Sequence, residues 1–332
     1  MKPKLLDPLL VTMRSAAPFG MAAVLGLGLA AGSALAQDGY PCKTIEVVTH
    51  AGAGGGTDIT TRMMMLRARR ELKADMVVVS KAGGGGATAM NYINGRDRDG
   101  CTIMTITPTH LLTIARGKSP LKVDDLVGLA RATDDPQILM VRGDSKYKSI
   151  DDLLADGKAN SLKFGGTQVG AIDQITAFTF SKRAGIQNPN YIPFDGGGAI
   201  ITALIGGDIE IGVLNLSEAE SQIGAGEIRP LLVLAKKRMK PLPDVPTSAE
   251  KGIDAEFSTV RGFVTLKGAP DDRVKMLEAK LVKAMNHSVY MAYLGTAGLD
   301  ADSIIGAEEW NAQIQKLYID GVDALKDLGM LK

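Results

Sequence analysis

Thr44-Ile-Glu-Val-Val-Thr49, followed by His50-Ala-Gly-Ala-Gly-Gly-Gly-Thr-Asp58 and a helix-favouring run over residues 57–72, is the passage that decides the fold. Six β-favouring residues enter a glycine turn, and a helical stretch leaves it. The same order returns at once. Met76-Val-Val-Val-Ser80 leads to a glycine cluster at 83–86, a helix over 87–94 and a third strand, Thr102-Ile-Met-Thr-Ile-Thr107. Alternation of this kind predicts a parallel sheet with helices on its faces.

A second unit repeats the plan. Residues 162–166 read as a strand, 172–184 as a helix, 191–194 as a strand and 199–205 as a helix, ending in the strand Ile209-Glu-Ile-Gly-Val-Leu214. Residues 137–142 form an extended first crossing between the units, and 257–266 a return. Val274, Leu277, Leu281, Ala284 and Met285 fall on one face of a later helix. Trp310, Ile314 and Leu317 do the same in the last one and should pack on the first unit. The expectation is a two-lobed α/β protein, each lobe a mostly parallel sheet flanked by helices, with a hinge of two crossings. Lobe 1 takes residues 37–140 and 262–332, and lobe 2 takes 141–261. Ligands of open α/β sheets bind beyond the carboxyl ends of the strands. Four glycine clusters, at 52–56, 83–86, 165–170 and 196–198, sit at or just after such ends, so they would face one another across a cleft.

Of 332 residues, 45% are hydrophobic and 23% charged, and the formal net charge is +1, which excludes a polytopic membrane protein, a disordered chain and a strongly basic nucleic-acid binder. The start of the chain is a targeting segment. Lys2, Lys4 and Arg14 precede an uncharged apolar stretch at 16–32, and Ser33-Ala-Leu-Ala36 supplies a small-x-small cleavage pattern. Cleavage after Ala36 also removes Asp7, so totals of 38 basic and 37 acidic residues fall to 35 and 36 in the exported chain. The apolar run is short and rich in Ala and Gly, which argues against a membrane anchor.

Cys42 and Cys101 both lie in the exported part, each just before a strand. In an oxidising compartment an even pair reads first as a disulfide, two separate buried thiols being the alternative. If the strands are parallel neighbours, the two sulfurs lie side by side at one sheet edge. No C-x-x-C is present to suggest a redox dithiol or a zinc knuckle.

Most catalytic and nucleotide chemistries fail on the residues. The turn at 51–58 has no lysine for a P-loop, and Thr57 stands where a dinucleotide fingerprint requires its third glycine. Gly84-x-Gly86-x-x-Ala89 matches formally, but the strand after it ends at Thr107-Pro-Thr109, without the acid a ribose needs. There is no H-E-x-x-H and no G-x-S-x-G. No cofactor and no metal site is expected. What remains is a backbone cradle: bare glycine N–H groups at helix starts hold an anion without a lysine. Tight turns alone are the competing reading of any single cluster. His50 and His110 lie at strand ends near the cleft, as ligand contacts or hydrogen-bonded structural groups. His287, near a helix end, reads as structural. Asp58 and Asp173 sit in first helical turns, where they stabilise a helix start, orient a glycine loop or meet a ligand donor. Arg261 is the preferred cation for an anionic ligand, a solvated hinge arginine being the other reading.

The order of these motifs resembles the extracytoplasmic receptors of tripartite tricarboxylate transporters, the Bug-type solute-binding proteins. The resemblance covers nearly all of the exported chain. It is carried by Ala51-Gly-Ala-Gly-Gly-Gly-Thr-Asp58, Lys81-Ala-Gly-Gly-Gly-Gly86, Arg98-Asp-Gly100, Gly165-Gly-Thr-Gln-Val-Gly170 and Tyr191-Ile-Pro-Phe-Asp-Gly-Gly-Gly198. Ala203-Leu-Ile-Gly-Gly207, Ala225-Gly-Glu-Ile-Arg-Pro230 and, most specifically, Leu242-Pro-Asp-Val-Pro-Thr247 complete it.

The resemblance implies a two-lobed periplasmic binding protein of type II-like architecture, without enzymatic activity, that holds a di- or tricarboxylate or related acid through loop amides, hydroxyls and ordered water. Its loops match residues 51–58 in lobe 1, with Ala53, Gly54, Gly55, Gly56, Thr57 and Asp58 as contacts, and 165–173 in lobe 2, with Gly166, Thr167, Gln168, Val169, Gly170 and Asp173. His50, Thr107, Thr109, Phe194, Gly196, Gly197, Asn215, Ser217 and Arg261 complete the expected pocket. His50 and Ala53 stand where the family often has proline, and Asp173-Gln174 where it often has Ser or Asp followed by His; these departures should tune the ligand. The family further implies a monomer in the periplasm that serves a separate multi-span permease and no nucleic acid. A receptor that signals to a sensor kinase, and a secreted α/β enzyme, are the rivals.

Overall fold

A computed structural model of the chain describes Tyr40 and residues 42–331. The targeting segment and its cleavage after Ala36 lie outside the described residues. The first lobe opens with β1 (Thr44–Thr49), α1 (Gly56–Leu72), β2 (Asp75–Ser80), α2 (Ala87–Asn94), β3 (Thr102–Ile106), α3 (Pro108–Ala115) and β4 (Leu126–Pro136). The second holds β5 (Ile138–Arg142), α4 (Ile150–Ala159), β6 (Lys163–Gly166), α5 (Ile172–Arg183), β7 (Asn190–Pro193), α6 (Gly197–Gly206), β8 (Ile211–Leu214), α7 (Leu216–Gly224) and β9 (Ile228–Val233). The chain then returns through β10 (Ser258–Leu266) and ends in α8 (Asp271–Met285), α9 (Ser288–Thr296) and α10 (Ala307–Asp327).

Two five-stranded sheets result, β2-β1-β3-β10-β4 and β7-β6-β8-β5-β9. Each is parallel through its first three strands and antiparallel beyond them. The parallel part is the strand–helix alternation read from the sequence. The antiparallel part is made by the strands at the crossings: β10 and β5, which arrive from the other lobe, run against the parallel strands, while β4 and β9, which leave for it, run with them. Sheet membership changes between Pro136 and Ile138 and between Val233 and Ser258. The limits drawn on sequence, 140/141 and 261/262, fall inside β5 and β10, whose apolar runs carry no local mark of the change. Three chain segments lie side by side at this passage: Gln137 N donates to Phe257 O (2.9 Å), Leu234 N to Gln137 O (2.9 Å) and Phe257 N to Leu234 O (3.0 Å).

Every sheet face is covered, as buried parallel strands require. On β1, period-two alternation sends Ile45 and Val47 to the face under α1, α8 and α9, where Met64, Met65, Leu281 and Tyr290 meet them. Val48 goes to the other face, with Met90, Met104, Ile106 and Trp310. Trp310 and Ile314 thus pack on the first lobe, and Leu317 borders the same cluster. The second sheet repeats this, with Leu139, Val141, Phe164 and Phe180 on one face and Ile138, Met140, Ile200 and Leu204 on the other. Parallel pairing of β1 with β3 places Cys42 and Cys101 together at the strand starts, and they form a disulfide with Cα atoms 5.8 Å apart. No helix among the described residues is long and apolar enough to cross a membrane.

Candidate functional site

The carboxyl ends of β1, β3, β6 and β8 and the last residues before α6 open on one cavity of about 700 Å³ between the lobes. In lobe 1 the turn after β1 closes with Gly55 N donating to Gly52 O (3.2 Å), and Gly55 caps α1 without any side-chain acceptor. The first-turn N–H groups of α1 have no intrahelical partner, and Gly55, Gly56 and Thr57 line the cavity. Asp58 is buried behind them. Its Oδ2 accepts from Gly54 N (2.9 Å) and Arg62 Nε (2.8 Å), so it ties the loop to its helix. Burial alone would raise the Asp58 carboxyl; these two partners hold it below its usual range.

Lobe 2 uses the same device. Asp173, in the first turn of α5, accepts from Thr167 N (2.8 Å) and Thr167 Oγ1 (2.7 Å) on Oδ2, and from Gln137 Nε2 (2.5 Å) on Oδ1. The Thr167 hydroxyl is therefore spent as a donor, and its lone pairs are what it offers the cavity. Gly196 caps α6 without a side-chain acceptor, and Gly196 and Gly197 face the cleft. The lobes touch where Ile172 N reaches Thr109 Oγ1 (3.3 Å) and Arg116 Nη1 reaches Val169 O (3.4 Å).

Arg261, on β10, forms the floor. Its side chain is 5% exposed, and Nη1 pairs with Asp135 Oδ2 at 3.0 Å. Nη2 lies against α1: a Cβ built on Gly56 would come within 2.9 Å of it. Nε is buried without a protein partner. Burial pulls the guanidinium down, but the charges of Asp135 and Glu218 outweigh this and keep it above its ordinary value. Burial in turn pushes the Asp135 and Asp173 carboxyls up, and Glu218 up to about 7.

His50 lines the cavity, its ring edge-on to His110 with centroids 4.3 Å apart. Thr107 N donates to His110 Nδ1 (3.1 Å), so His110 holds its proton on Nε2. Burial and the nearby Arg261 lower His50 to about 4, and burial lowers His110 well below its usual value. Both are neutral at pH 7. Gly86 makes room for this pair, since a Cβ there would fall 2.5 Å from His110 Cδ2. His287 caps α9, with Nδ1 accepting from Val289 N (3.3 Å), so its role is that of an acceptor.

Of the residues singled out by sequence, the lining brings together His50, Gly55, Gly56, Thr57, Thr107, Thr109, Thr167, Gln168, Asp173, Gly196, Gly197, Asn215 and Arg261. Ala53 and Gly54 lie on the outer, exposed side of their loop, and Asp58 beneath it. Gly166 is packed under Asp173 and Tyr191, and Gly170 against Arg116. Val169 points to solvent, Ser217 is exposed on α7, and Phe194 packs on the apolar cluster of lobe 2. Ala51, Gly52, Gly83, Gly84, Ile172 and Asp195 also line the cavity, within the glycine clusters and loops that the sequence assigns to the cleft; sequence reasoning missed Ala82, Ile200, Glu218 and Thr259 in the lining, and Asp135 behind it. Glu218 had a signal: Asn215-Leu-Ser-Glu218 is a capping box, which places both residues at one helix start. Among the described residues, Cys42, Asp99 and Cys101 cluster as metal ligands would, but both thiols are consumed by the disulfide.

A family model for the tripartite tricarboxylate transporter family receptor matches residues 60–324. The chain belongs to this receptor family. It is 28% identical over 294 residues to protein BugT of Bordetella pertussis, covering 86% of this chain and 88% of that one. A TctC solute-binding protein from Polaromonas, solved without ligand, is 25% identical and superposes with a TM-score of 0.72 over 87% of this chain and 99% of its own. MatC of Rhodopseudomonas palustris, solved with bound malate, shares the fold at 21% identity, with a TM-score of 0.78 over 86% and 100% of the two chains. The receptors of this family are periplasmic solute-binding proteins and not enzymes, and this chain is one of them. Its two sheets, each flanked by helices and joined at a double crossing, are the architecture of such receptors.

Proposed function

We propose that this receptor captures a small organic carboxylate, a di- or tricarboxylate or a related acid, between its lobes in the periplasm and delivers it to a separate multi-span permease. The observation that carries this reading is the convergence of two uncapped helix starts, those of α1 and α6, on the cavity whose floor is the buried Arg261. N–H groups at helix starts and a guanidinium are donors suited to a carboxylate. Hydrogen bonds to a charged group contribute roughly 1.5–3 kcal/mol each. Four or five of them, less desolvation and closure, reach micromolar affinity, about −8 kcal/mol. Contacts to both lobes at once would favour the closed form. MatC, which shares the fold, holds malate.

A thermal-shift screen of carboxylates against the exported chain tests this. A binder at a hundred times its dissociation constant adds about 2.7 kcal/mol of stability. Replacement of Arg261 or Thr167 by Ala should weaken the best hit. A screen in which no acid shifts the transition, or a hit that neither replacement weakens, counts against the site.

A further inference from the structure

We infer that a groove behind the crossings is a charged clasp between the lobes that opposes closure, so that breaking it tightens ligand binding at the cavity. This concerns the control of the capture proposed above and rests on that reading.

A second hollow, of about 650 Å³, takes its walls from both lobes: Asp134, Asp300 and Ser303 stand on one side, Lys236, Arg238 and Lys240 on the other. The crossings separate it from the ligand cavity. Along β10, Thr259 and Arg261 line the cavity and Ser258 lines the groove. Along β4, Asp135 backs the guanidinium while Asp134 and Pro136 face the groove. The strand orders agree with this. The cavity takes the ends of the parallel strands β1, β3, β6 and β8, and the groove lies by the edge strands β4 and β9. Lobes that turn about the crossings to narrow the cavity must therefore part the rims of the groove.

Each rim is fixed to its own lobe. Arg131 of β4 donates to Ser303 O (2.8 Å) and Asp302 O (2.6 Å) and so holds the rim of lobe 1. The rim of lobe 2 is anchored by Met239 and Leu242, buried in an apolar cluster of that lobe, and by Arg238 Nη1, which donates to Pro243 O (2.7 Å). The two rims meet. Gly298 packs against Pro241 and Leu216, where a Cβ would fall 2.8 Å from Pro241 Cγ and 3.1 Å from Leu216 Cδ2. Lys240 Nζ stands 3.6 Å from Asp300 Oδ2, an ion pair across the groove. Lys236 and Lys237 extend the basic rim and Asp302 the acidic one, all exposed. Closure on a ligand works against this attraction. A receptor whose competent form is a minor population binds with an affinity reduced by that fraction, so weakening the clasp restores part of it.

The first test needs no ligand. Spin labels on Leu66→Cys in α1 and Ile205→Cys in α6, both exposed, report the spacing of the lobes. In ligand-free protein Lys240→Glu should raise the ratio of short to long label distances about 3-fold. Asp300→Asn, which keeps the oxygen that accepts from Asp302 N, should raise it about 2-fold, and Lys240→Arg should match the parent. Salt at about 0.5 M should move the parent in the same direction. In titration with malate as the probe, Lys240→Glu should bind about 3-fold more tightly, whereas simple loss of a cation would weaken an anion. Label distances that stay the same or lengthen in both Lys240→Glu and Asp300→Asn overturn the clasp and leave the capture reading standing. Shorter distances with unchanged or weaker malate binding overturn its control of affinity. If malate binds neither protein, the label distances decide the clasp, and the carboxylate screen decides the capture reading.

Discussion

Arg261 Nη1 and Asp135 Oδ2 stand 3.0 Å apart, and neither side chain is more than 5% exposed. They come from adjacent antiparallel strands, β10 and β4, which pair Thr259 with Asp135 and Arg261 with Thr133. The pair sits beside the passage between lobes, where Asn215 Nδ2 also holds Asp135 O (2.9 Å). Removing one member of a buried pair leaves an uncompensated charge and costs on the order of 3–5 kcal/mol. Asp135→Ala should therefore lower the unfolding free energy, measured in urea, by that amount. Arg261→Ala should do the same and abolish ligand-induced stabilisation as well. A loss below about 1 kcal/mol in either variant would mean that water reaches the pair.

Gly56 tests whether the guanidinium position matters apart from its charge. Alanine at the first residue of α1 should favour the helix by roughly 0.5–1 kcal/mol over glycine. Yet the new Cβ would lie 2.9 Å from Arg261 Nη2 and 3.5 Å from Cζ. The side chain must swing off the α1 N-terminus. Gly56→Ala should keep the melting temperature within a few degrees while ligand affinity falls at least 10-fold, measured by titration. Unchanged affinity would show that the carboxylate does not use this guanidinium.

The parallel halves of both sheets were legible because β1, β2, β6 and β7 are short β-favouring runs that lead through glycine turns into helices: β1 and α2 occupy the residues read for them. The missed elements lack that signature. β4 contains Arg131, Asp134 and Asp135, so its eleven residues do not read as a strand, yet it is buried because β10 covers one edge and Arg131 finds Ser303 O (2.8 Å) and Gln313 Oε1 (2.9 Å). The donors of the site were legible as glycines at strand ends. Of its acids, Asp173 was legible in a first helical turn, but Asp135 was not: it meets Arg261 across 126 residues of chain, a separation no local pattern encodes. Of the three roles the sequence leaves open for Asp58 and Asp173, the structure shows the orienting of a loop, since they occupy Gly54 N and Thr167 N.

The Cys42–Cys101 bridge joins the starts of β1 and β3 and spans 59 residues, including all of α1, β2 and α2. The chain-entropy relation gives about 4 kcal/mol for a loop of this length. Cys42→Ser with Cys101→Ser should lower stability by that order in urea unfolding, and wild type in a reducing buffer should match the variant. Ligand affinity should change little, because the bridge lies at the amino ends of the strands and the cavity at the other.

The pH dependence contains two opposed contributions within one cavity. His50 falls to about 4 in the fold against an unfolded value near 6.5, so its contribution is intact above pH 6.5 and is lost as pH drops toward 4. Glu218 rises to about 7 from about 4.5, so its cost is absent below pH 4.5 and fully present above pH 7. Acidification between pH 7 and 4.5 thus weakens the fold through His50 and strengthens it through Glu218. Each shift of about 2.5 pKa steps corresponds to roughly 3 kcal/mol. Replacing one group at a time exposes the other. His50→Gln should grow more stable relative to wild type as pH is lowered from 7 to 5, and Glu218→Gln as it is raised from 5 to 8, both followed by chemical unfolding. Parallel slopes in the two variants would show that at least one of these groups keeps an ordinary pKa in the folded chain.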